Sequence, residues 1–149
     1  MSDVSTLSRA DVRKAFHQLL TNSLSGIPKE NILPSRLADP KGMSPLIYVT
    51  SSGSFRPALT VRFKQNEFII EVFVLVLLSD PSNPNWKEYM AEDMLDSVEA
   101  QMQTLLENNP SFSGLWTSVK YAQATTVERV PLSGHDYVVE VIQLKFMRG

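Results

Sequence analysis

The sequence predicts an α+β fold, a mainly antiparallel sheet of about five strands with two main helices packed on it, in the order αβββαββ. Segments 7–26 and 86–107 carry apolar residues at helical spacing. Five other segments are short, rich in β-branched residues and bounded by turn residues. Because short turns join several of these strands, neighbouring strands should run antiparallel.

The first helix has a start signal, an apolar stripe and a stop signal. Ser8 can cap its amino end, and Asp11 completes a weaker form of the capping box. Gly26 and Pro28 end it. The stripe expected to face the sheet consists of Val12, Phe16, Leu19, Leu20 and Leu24.

An irregular crossing segment follows at 27–45, where four prolines occur without any periodicity. A short strand is predicted at 46–50 and a polar, glycine-containing loop at 51–57. Residues 58–64 alternate between apolar and polar side chains, which is typical of a strand, and residues 65–66 form a tight turn into the next one.

The central strand, within 66–80, is apolar on both faces, since Glu71 is the only charge between Phe68 and Leu78. One face should pack under the long helix, and it consists of Phe68, Ile70, Val72, Val74, Val76 and Leu78. The other face becomes apolar at Phe73. If both helices pack on one side of the sheet, this second face needs a separate cover.

Two covers fit the second face. In the first, Phe73, Leu75 and Leu77 are covered by an adjacent subunit, with Glu71 near the margin of that contact. In the second, the 27–45 segment of the same chain folds back over them. The sequence does not separate these alternatives.

The carboxyl-terminal half predicts a long helix and a hairpin. Asn85 is the predicted cap of the helix, with Glu88 at its third position, and residues 108–110 end it. A strand over 117–129, a turn at 131–136 and an apolar return strand at 137–147 follow. The apolar stripe of the helix consists of Trp86, Met90, Met94 or Leu95, Val98, Met102, Leu105 and Leu106.

Composition excludes several classes of protein. The 149 residues suffice for a single domain, 1–149. A net charge of -2 offers no basic field for nucleic acid, and the absence of cysteine removes disulfides and thiol chemistry. The longest apolar run is about 11 residues, whereas a membrane-spanning helix needs roughly 20. Residues 1–14 lack the apolar core of a signal peptide, so we expect a soluble, cytosolic product without membrane contact.

Polar clusters in the sequence have structural explanations, and no catalytic, cofactor-binding or metal site is predicted. Ser133, His135 and Asp136 are neighbours in a predicted turn, where such residues occur for local reasons. Methionines on the long helix fill the core, and Trp86 and Trp116 pack at its two ends. The acidic row on that helix is expected to be a solvated face, and it consists of Glu88, Glu92, Asp96 and Glu99.

Four runs of the sequence together resemble a known family. They are PLIYVTSSGSFRP at 45–57, FIIEVFVLVLLSD at 68–80, NPNWKEYM at 83–90 and YVVEVIQLKFM at 137–147. In their local residues and in the order of elements, over about residues 8–147, they are similar to the tail terminator proteins of long-tailed bacteriophages.

This resemblance implies a structural virion protein without catalytic activity or cofactor. It would form a hexameric ring that caps the tail tube, ends tube polymerisation and provides a docking surface for the neck. Its partners would be further copies of itself, the tail-tube protein and a neck or head-completion protein, and DNA would only pass through the ring. Assembly in the host bacterial cytoplasm and a final location at the tail–neck junction are implied. A separate prediction, made from the residues themselves, is that the polar 50–57 segment contacts a partner ring through Ser54, Phe55 and Arg56, with an idle loop as the alternative.

Two alternatives remain at this stage. The nearest is another neck or head–tail joining ring protein with a similar subunit. An alternative of a different class is an α+β barrel enzyme or small-ligand-binding protein, in which a buried acid would pair with polar groups. Glu71 and Glu140, each in an apolar strand, are the candidate acids.

Overall fold

The computed structural model describes residues 8–55 and 66–148, and it confirms the α+β class. Its two helices are α1 (Arg9–Ser23) and α2 (Glu88–Asn108), and a short 3-10 turn covers Lys29–Asn31. The strands are β1 (Ile32–Leu33), β2 (Leu46–Phe55), β3 (Asn66–Leu77), β4 (Ser118–Tyr121), β5 (Thr126–Leu132) and β6 (His135–Arg148). No helix of the described chain is both long enough and apolar enough to cross a bilayer.

All six strands belong to one sheet. Its order is β1-β2-β3-β6-β4, and β5 pairs with β6 on the same side as β4. The β1–β2 pair is parallel and every other pair is antiparallel. Because β1 pairs only with Ile47 and Tyr48, no described strand covers the outer edge of β2 beyond that point.

Both helices pack on one side of the sheet, here called the helix face, as expected. The side chain of Ser8 caps α1 by accepting a hydrogen bond from the Asp11 amide at 3.1 Å. Phe16 of α1 meets Phe146 of β6 edge to face at 5.1 Å between ring centres. The α1 and α2 residues buried in this core are Val12, Phe16, Leu20, Ala91, Leu95, Val98, Met102, Leu105 and Leu106. The first face of β3 is also buried there, from Phe68 to Leu78.

On the opposite side of the sheet, the second face, the described residues bury one end, and at the other end the side chains are partly or largely exposed. Residues 33–45, here called the cover segment, lie over the buried end and contribute Leu33, Leu37 and Met43. The strand residues buried beneath them form the covered half, which consists of Leu46, Tyr48, Leu75, Leu77, Tyr137 and Val139. The other end is the open half, which consists of Phe55, Glu67, Ile69, Lys145 and Met147.

Hydrogen bonds to the sheet hold the cover segment in place. The Tyr137 hydroxyl donates to the Met43 carbonyl at 3.1 Å, and the Leu77 amide donates to the Ser44 hydroxyl at 2.9 Å. The side-chain amide of Asn31 donates to the Pro45 carbonyl at 2.9 Å. A segment without helical or strand periodicity is therefore ordered by polar contacts to the strands it crosses.

Several predicted boundaries are wrong. β2 continues to Phe55 through a bulge between Ser51 and Gly53, so the predicted loop is strand over 51–55. Residues 56–57 and the predicted strand at 58–64 lie outside the described residues. The predicted strand at 117–129 is interrupted at 122–125, which separates β4 from β5. Within the predicted 131–136 turn, the strands run on to 132 and resume at 135.

The start of α2 also differs from its prediction. The helix begins at Glu88 after Lys87, and Asn85 is not its cap. Asn85 instead donates its backbone N–H to the side chain of Asn83 at 3.1 Å. The indole of Trp86 donates to the Leu77 carbonyl at 2.7 Å. This bond ties the approach to α2 to the end of β3.

Candidate interaction surfaces

The residues predicted to form a subunit interface do not share one environment. Leu75 and Leu77 are each 1% exposed beneath the cover segment. The adjacent-subunit prediction is therefore wrong for these two leucines, because the alternative cover, the chain's own 27–45 segment, already buries them. The physical reason is that the cover segment supplies apolar side chains at the end of the second face where β3 is most apolar.

Phe73 and Glu71 remain partly exposed, so their proposed role at a subunit contact stays a prediction. The rings of Phe73 and Tyr48 pack at 5.0 Å between centres. The guanidinium of Arg36 lies over the Phe73 ring at 5.0 Å, which is a cation–π arrangement. Glu71 accepts a hydrogen bond from the Gln143 side chain at 3.4 Å.

A polar pocket lies beside β2 at residues 49–51, where no described strand pairs with its outer edge. Its volume is about 420 Å³, and its charged lining residues are Arg13 from α1, Arg36 from the cover segment and Glu71 from β3. Its remaining lining residues are Ser35, Val49, Thr50 and Ser51. This arginine pocket is assembled from both faces of the sheet, since α1 lies on the helix face and the cover segment on the second face.

Arg13 is held in the arginine pocket by one hydrogen bond and has an unused donor. Its Nη1 donates to the Ser51 hydroxyl at 2.8 Å. Its Nε is buried and has no hydrogen-bond partner within the described chain. An unsatisfied buried donor costs about 1–3 kcal/mol, more when the group is charged. One helical turn earlier, Arg9 donates to Ser54 at 2.8 Å, so two arginines follow the β2 edge.

The residues predicted to form one contact loop lie on opposite faces of β2. Ser54 pairs with Phe68 and therefore lies on the helix face, whereas Phe55 pairs with Glu67 on the second face. Arg56 lies outside the described residues. Ser54 and Phe55 thus belong to a strand, and they point to opposite sides of the sheet rather than forming one loop surface.

The open half of the second face presents apolar side chains beside charged ones. Phe55 is 59% exposed, and Ile69 and Met147 are partly exposed. Lys145 and Glu67 lie 4.0 Å apart on the same face. An exposed aromatic with apolar neighbours and a charged margin is typical of a protein-binding surface.

A second charged surface lies at the far side of the sheet, between α2 and the β5–β6 hairpin. It is a groove of about 550 Å³. Its carboxylates are Glu92, Asp96, Glu99, Glu128 and Glu140. Its other lining residues are Leu95, Thr125, Val127, Arg129 and Val138. We call it the acidic groove, and three members of the predicted acidic row of α2 line it.

Glu140 is the one charged residue that is buried in the described chain, with 5% exposure. It pairs with Val74 on the helix face, so its carboxyl lies beneath α2. The Thr125 hydroxyl donates to it at 2.7 Å. Burial raises the pKa of Glu140 above its ordinary value, and the nearby carboxylates of Glu99 and Asp96 raise it further.

Neighbouring polar contacts leave most of the groove's negative charge unbalanced. The Tyr121 hydroxyl donates to Glu99 at 2.9 Å, and burial raises the pKa of that phenol. Arg129 pairs with Glu88 at 3.0 Å, but both side chains are more than 60% exposed, so the pair contributes little to stability. Arg129 is the groove's single cationic lining residue.

Ser133, His135 and Asp136 lie at the turn between β5 and β6. Ser133 and Gly134 form the tight turn, with φ angles of 51° and 81°. A hydrogen bond from the Ser133 hydroxyl lowers the pKa of Asp39 in the cover segment. The His135 ring lies against Gly42, where an added Cβ would stand 3.3 Å from Nε2. This turn therefore helps to hold the cover segment.

The remaining candidate residues are structural. Trp116 is 1% exposed and donates to the Asn109 carbonyl at 3.2 Å, so it packs at the carboxyl end of α2, as predicted. Met102 is buried, and Met90 and Met94 are partly exposed. Among the described residues, no three His, Asp or Glu side chains are grouped closely enough to hold a metal ion.

Sequence reasoning missed the arginine pocket. Arg13 and Arg36 are distant in sequence, and only the fold brings them together. The four-residue spacing of Arg9 and Arg13 on the flank of the α1 stripe was the available signal.

No family of known proteins matches the chain, and no curated protein is similar to it in sequence.

Proposed function

We propose that the chain is a ring-forming structural subunit of the tail terminator kind. It caps the phage tail tube, ends tube polymerisation and presents a docking surface to the neck. One observation carries the proposal beyond the sequence resemblance. Among the described residues, a single chain leaves the open half of its second face partly exposed and the outer edge of β2 beyond Tyr48 without a paired strand.

The open half is the proposed contact with the tail tube. Phe55 supplies an exposed aromatic anchor, and Ile69 and Met147 supply apolar surface around it. Aromatic side chains and methionine are enriched at protein interfaces, and a few such anchors carry most of the binding energy. The Glu67 and Lys145 side chains at this surface would favour one orientation of the partner.

The proposed biological setting follows from the resemblance. Six copies surround the end of the tube, a neck or head-completion protein binds the free side of the ring, and DNA passes through it. The ring acts at the tail–neck junction of the virion after assembly in the host bacterial cytoplasm. The subunit contributes surfaces to this process and no chemical step.

Tube capping tests the proposal directly. Purified protein is mixed with polymerising tail-tube protein, and tube ends and lengths are recorded by electron microscopy. Native mass spectrometry gives the ring size. We expect six-fold rings on tube ends and tubes of limited length. A protein that stays monomeric with and without tubes, and leaves tube growth unlimited, contradicts the proposal.

Phe55→Ala tests the contact surface. Truncating an interface anchor commonly costs more than about 1 kcal/mol of binding, so capping should weaken at least roughly fivefold. The thermal unfolding midpoint should change little, because the side chain is 59% exposed. Tyr89→Ala is a matched control, since Tyr89 on α2 is also 59% exposed. Equal effects of both substitutions on capping would remove the open half from the contact.

The acidic groove favours a second candidate function, a small-ligand-binding protein. A buried carboxyl that accepts from a hydroxyl and lines a groove of about 550 Å³ is a reasonable site for a small cationic ligand. Thermal-shift measurements with putrescine and spermidine test it. A shift that saturates and disappears in Glu140→Gln supports the binder, and no shift contradicts it.

The same tube assay separates the nearest alternative, another neck or head–tail joining protein. Such a protein would form rings that bind head or neck components, yet leave tube length unlimited. A tail terminator limits tube length in the absence of heads. The two proteins therefore differ in one measured quantity, the length distribution of tubes polymerised with the purified ring protein alone.

A further inference from the structure

The arginine pocket and the acidic groove lie at opposite edges of one sheet. The pocket follows the outer edge of β2, and the groove lies between α2 and the β5–β6 hairpin. Two strands, β3 and β6, separate β2 from β5. At the usual strand spacing, β2 and β5 are roughly 14 Å apart, so the two surfaces are separate and share no strand.

The arginine pocket is built to receive a carboxylate. Arg13 is fixed through Nη1 to Ser51, so its positive charge is held at the pocket. Arg36 is exposed and can pair with a carboxylate through two parallel hydrogen bonds, and this bidentate geometry is the strongest arginine pairing. The hydroxyls of Ser35 and Thr50 add further donors, and Glu71 is the one carboxylate of the lining, so the two arginines leave the pocket with a net positive charge.

The acidic groove carries an excess of negative charge, so it would bind a cationic group. Five carboxylates line it against one arginine, and that arginine already pairs with Glu88 outside the groove lining. Like charges at this density repel one another unless a counter-charge is present. An arginine from outside the chain would donate hydrogen bonds to several of these carboxylates at once.

We propose that copies of this chain join head to tail, with the arginine pocket of one copy bound to the acidic groove of the next. The inference deepens the proposed ring function and rests on it. Each copy uses one surface for each neighbour, which is the heterologous contact that generates closed rings or open filaments. The unpaired edge of β2 lies within the same contact.

A two-fold contact between β2 edges is disfavoured by the same charges. Such a dimer would bring the arginines of both copies together, including Arg9 and Arg13 along the edge. Like charges facing each other across an interface cost binding energy. The charge pattern therefore favours the acidic groove of a second copy over the arginine pocket of a second copy.

Charge reversal with mixing tests the pairing. Arg36→Glu reverses one exposed charge of the pocket, and Asp96→Arg reverses one exposed charge of the groove. Each variant alone should associate at least roughly tenfold more weakly than the parent, because one charge at every junction then has the same sign as the surface opposite it. An equimolar mixture should recover association, since parental junctions alternate with junctions in which both substituted charges are reversed. Native mass spectrometry should show equal numbers of the two variants in each ring.

Matched controls separate specific pairing from net charge. Lys14→Glu and Glu107→Arg change charge by the same amounts at exposed positions outside the two surfaces. They should leave association unchanged. Thermal unfolding of all four variants checks that each remains folded. Parental association should also weaken in 1 M salt, where the screening length falls to about 3 Å.

The outcomes distinguish this inference from the proposed function. Rings that cap tubes and are insensitive to both reversals overturn the inference and leave the function standing. Open filaments rescued by mixing support the inference and contradict the ring function. If Arg36→Glu weakens only tube capping and leaves self-association intact, the pocket binds another protein, and the inference is wrong. A parent that stays monomeric with tubes overturns both.

Discussion

The two halves of the second face are parts of the same strands and differ in what covers them. In the covered half, Leu75 and Leu77 are each 1% exposed beneath the cover segment. In the open half, Ile69 is partly exposed and Phe55 is 59% exposed. An apolar strand face is therefore no evidence for a subunit contact along its whole length. The change in composition along β3, from carboxylates to leucines, coincides with the margin of the chain's own cover.

The largest expected change in the free energy of unfolding comes from removing apolar volume in the covered half. Leu75→Ala should lower the free energy of unfolding by about 2–5 kcal/mol, because the substitution leaves a cavity. Ile69→Ala, on the same strand and face, should cost less than about 1.5 kcal/mol, since its side chain is already partly exposed. Urea unfolding of both variants measures the difference.

Equal losses of unfolding free energy at Leu75 and Ile69 would contradict the difference between the covered half and the open half. They would mean that the open half is as well covered as the other, or that the cover segment contributes little. A loss at Leu75 with little change at Ile69 would locate the margin of the cover between the two residues.

A smaller effect is expected where the cover segment meets the β5–β6 turn. Gly42 has φ of 77°, and Gly134 has φ of 81°. Alanine in this conformation costs about 1–2 kcal/mol at either position. Gly42→Ala should cost more than Gly134→Ala, because its Cβ would stand 3.3 Å from the His135 ring. A Cβ added at Gly134 would meet no described atom within 4 Å apart from its chain neighbours. Thermal or urea unfolding compares them.

His135→Ala removes the obstructing ring and sharpens this test. In that background the two glycine substitutions should cost the same, which a double-mutant cycle measures. A difference that persists without the ring would show that the contact between the turn and the cover segment is not its cause.

The smallest effect concerns Glu140, the one buried charge on the helix face. Its pKa is raised in the folded state, so the native protein binds this proton more readily than the unfolded chain does. The resulting stability is fully present below the unfolded pKa and is lost as the pH rises through the raised folded pKa. Glu140→Gln, which can still accept from Thr125, should therefore raise the unfolding midpoint at pH 7.

The advantage of Glu140→Gln should disappear below about pH 4, where the carboxyl is protonated in both states. Glu92→Gln, an exposed carboxyl of the same groove, is the control and should change the midpoint little at either pH. A Glu140→Gln variant that is less stable than the parent at pH 7 would contradict the burial argument. Thermal unfolding by circular dichroism at both pH values provides the data.

Much of the fold was predictable because its signals are local. The Ser8 cap and the apolar stripe of α1 were read correctly from a few neighbouring residues. The alternation along β3 placed Phe68 to Leu78 in the core under the helices. The start of α2 was predicted wrongly, because Trp86 reaches Leu77 on another element, and a local capping rule contains no such contact.

The candidate surfaces were harder to predict, because they too depend on contacts between elements that are distant in the sequence. Phe55 was predicted to contact a partner from a loop, but the continuation of β2 places it, 59% exposed, on a strand and turns Ser54 to the opposite side. The arginine pocket depends on α1, β2 and the cover segment together. The acidic groove depends on the placement of the β5–β6 hairpin under α2, which brings Glu140 to the acidic row.

The sequence by itself determined the α+β class, the helix-facing residues and the two-sided apolar character of β3, because periodicity and turn chemistry act between near neighbours. The tertiary structure alone decided what covers the second face. That choice depends on whether Leu33, Leu37 and Met43 reach the strands, and on hydrogen bonds such as Tyr137 to Met43 that join residues far apart in the chain. Such contacts form only when the sheet exists, so no local pattern encodes them.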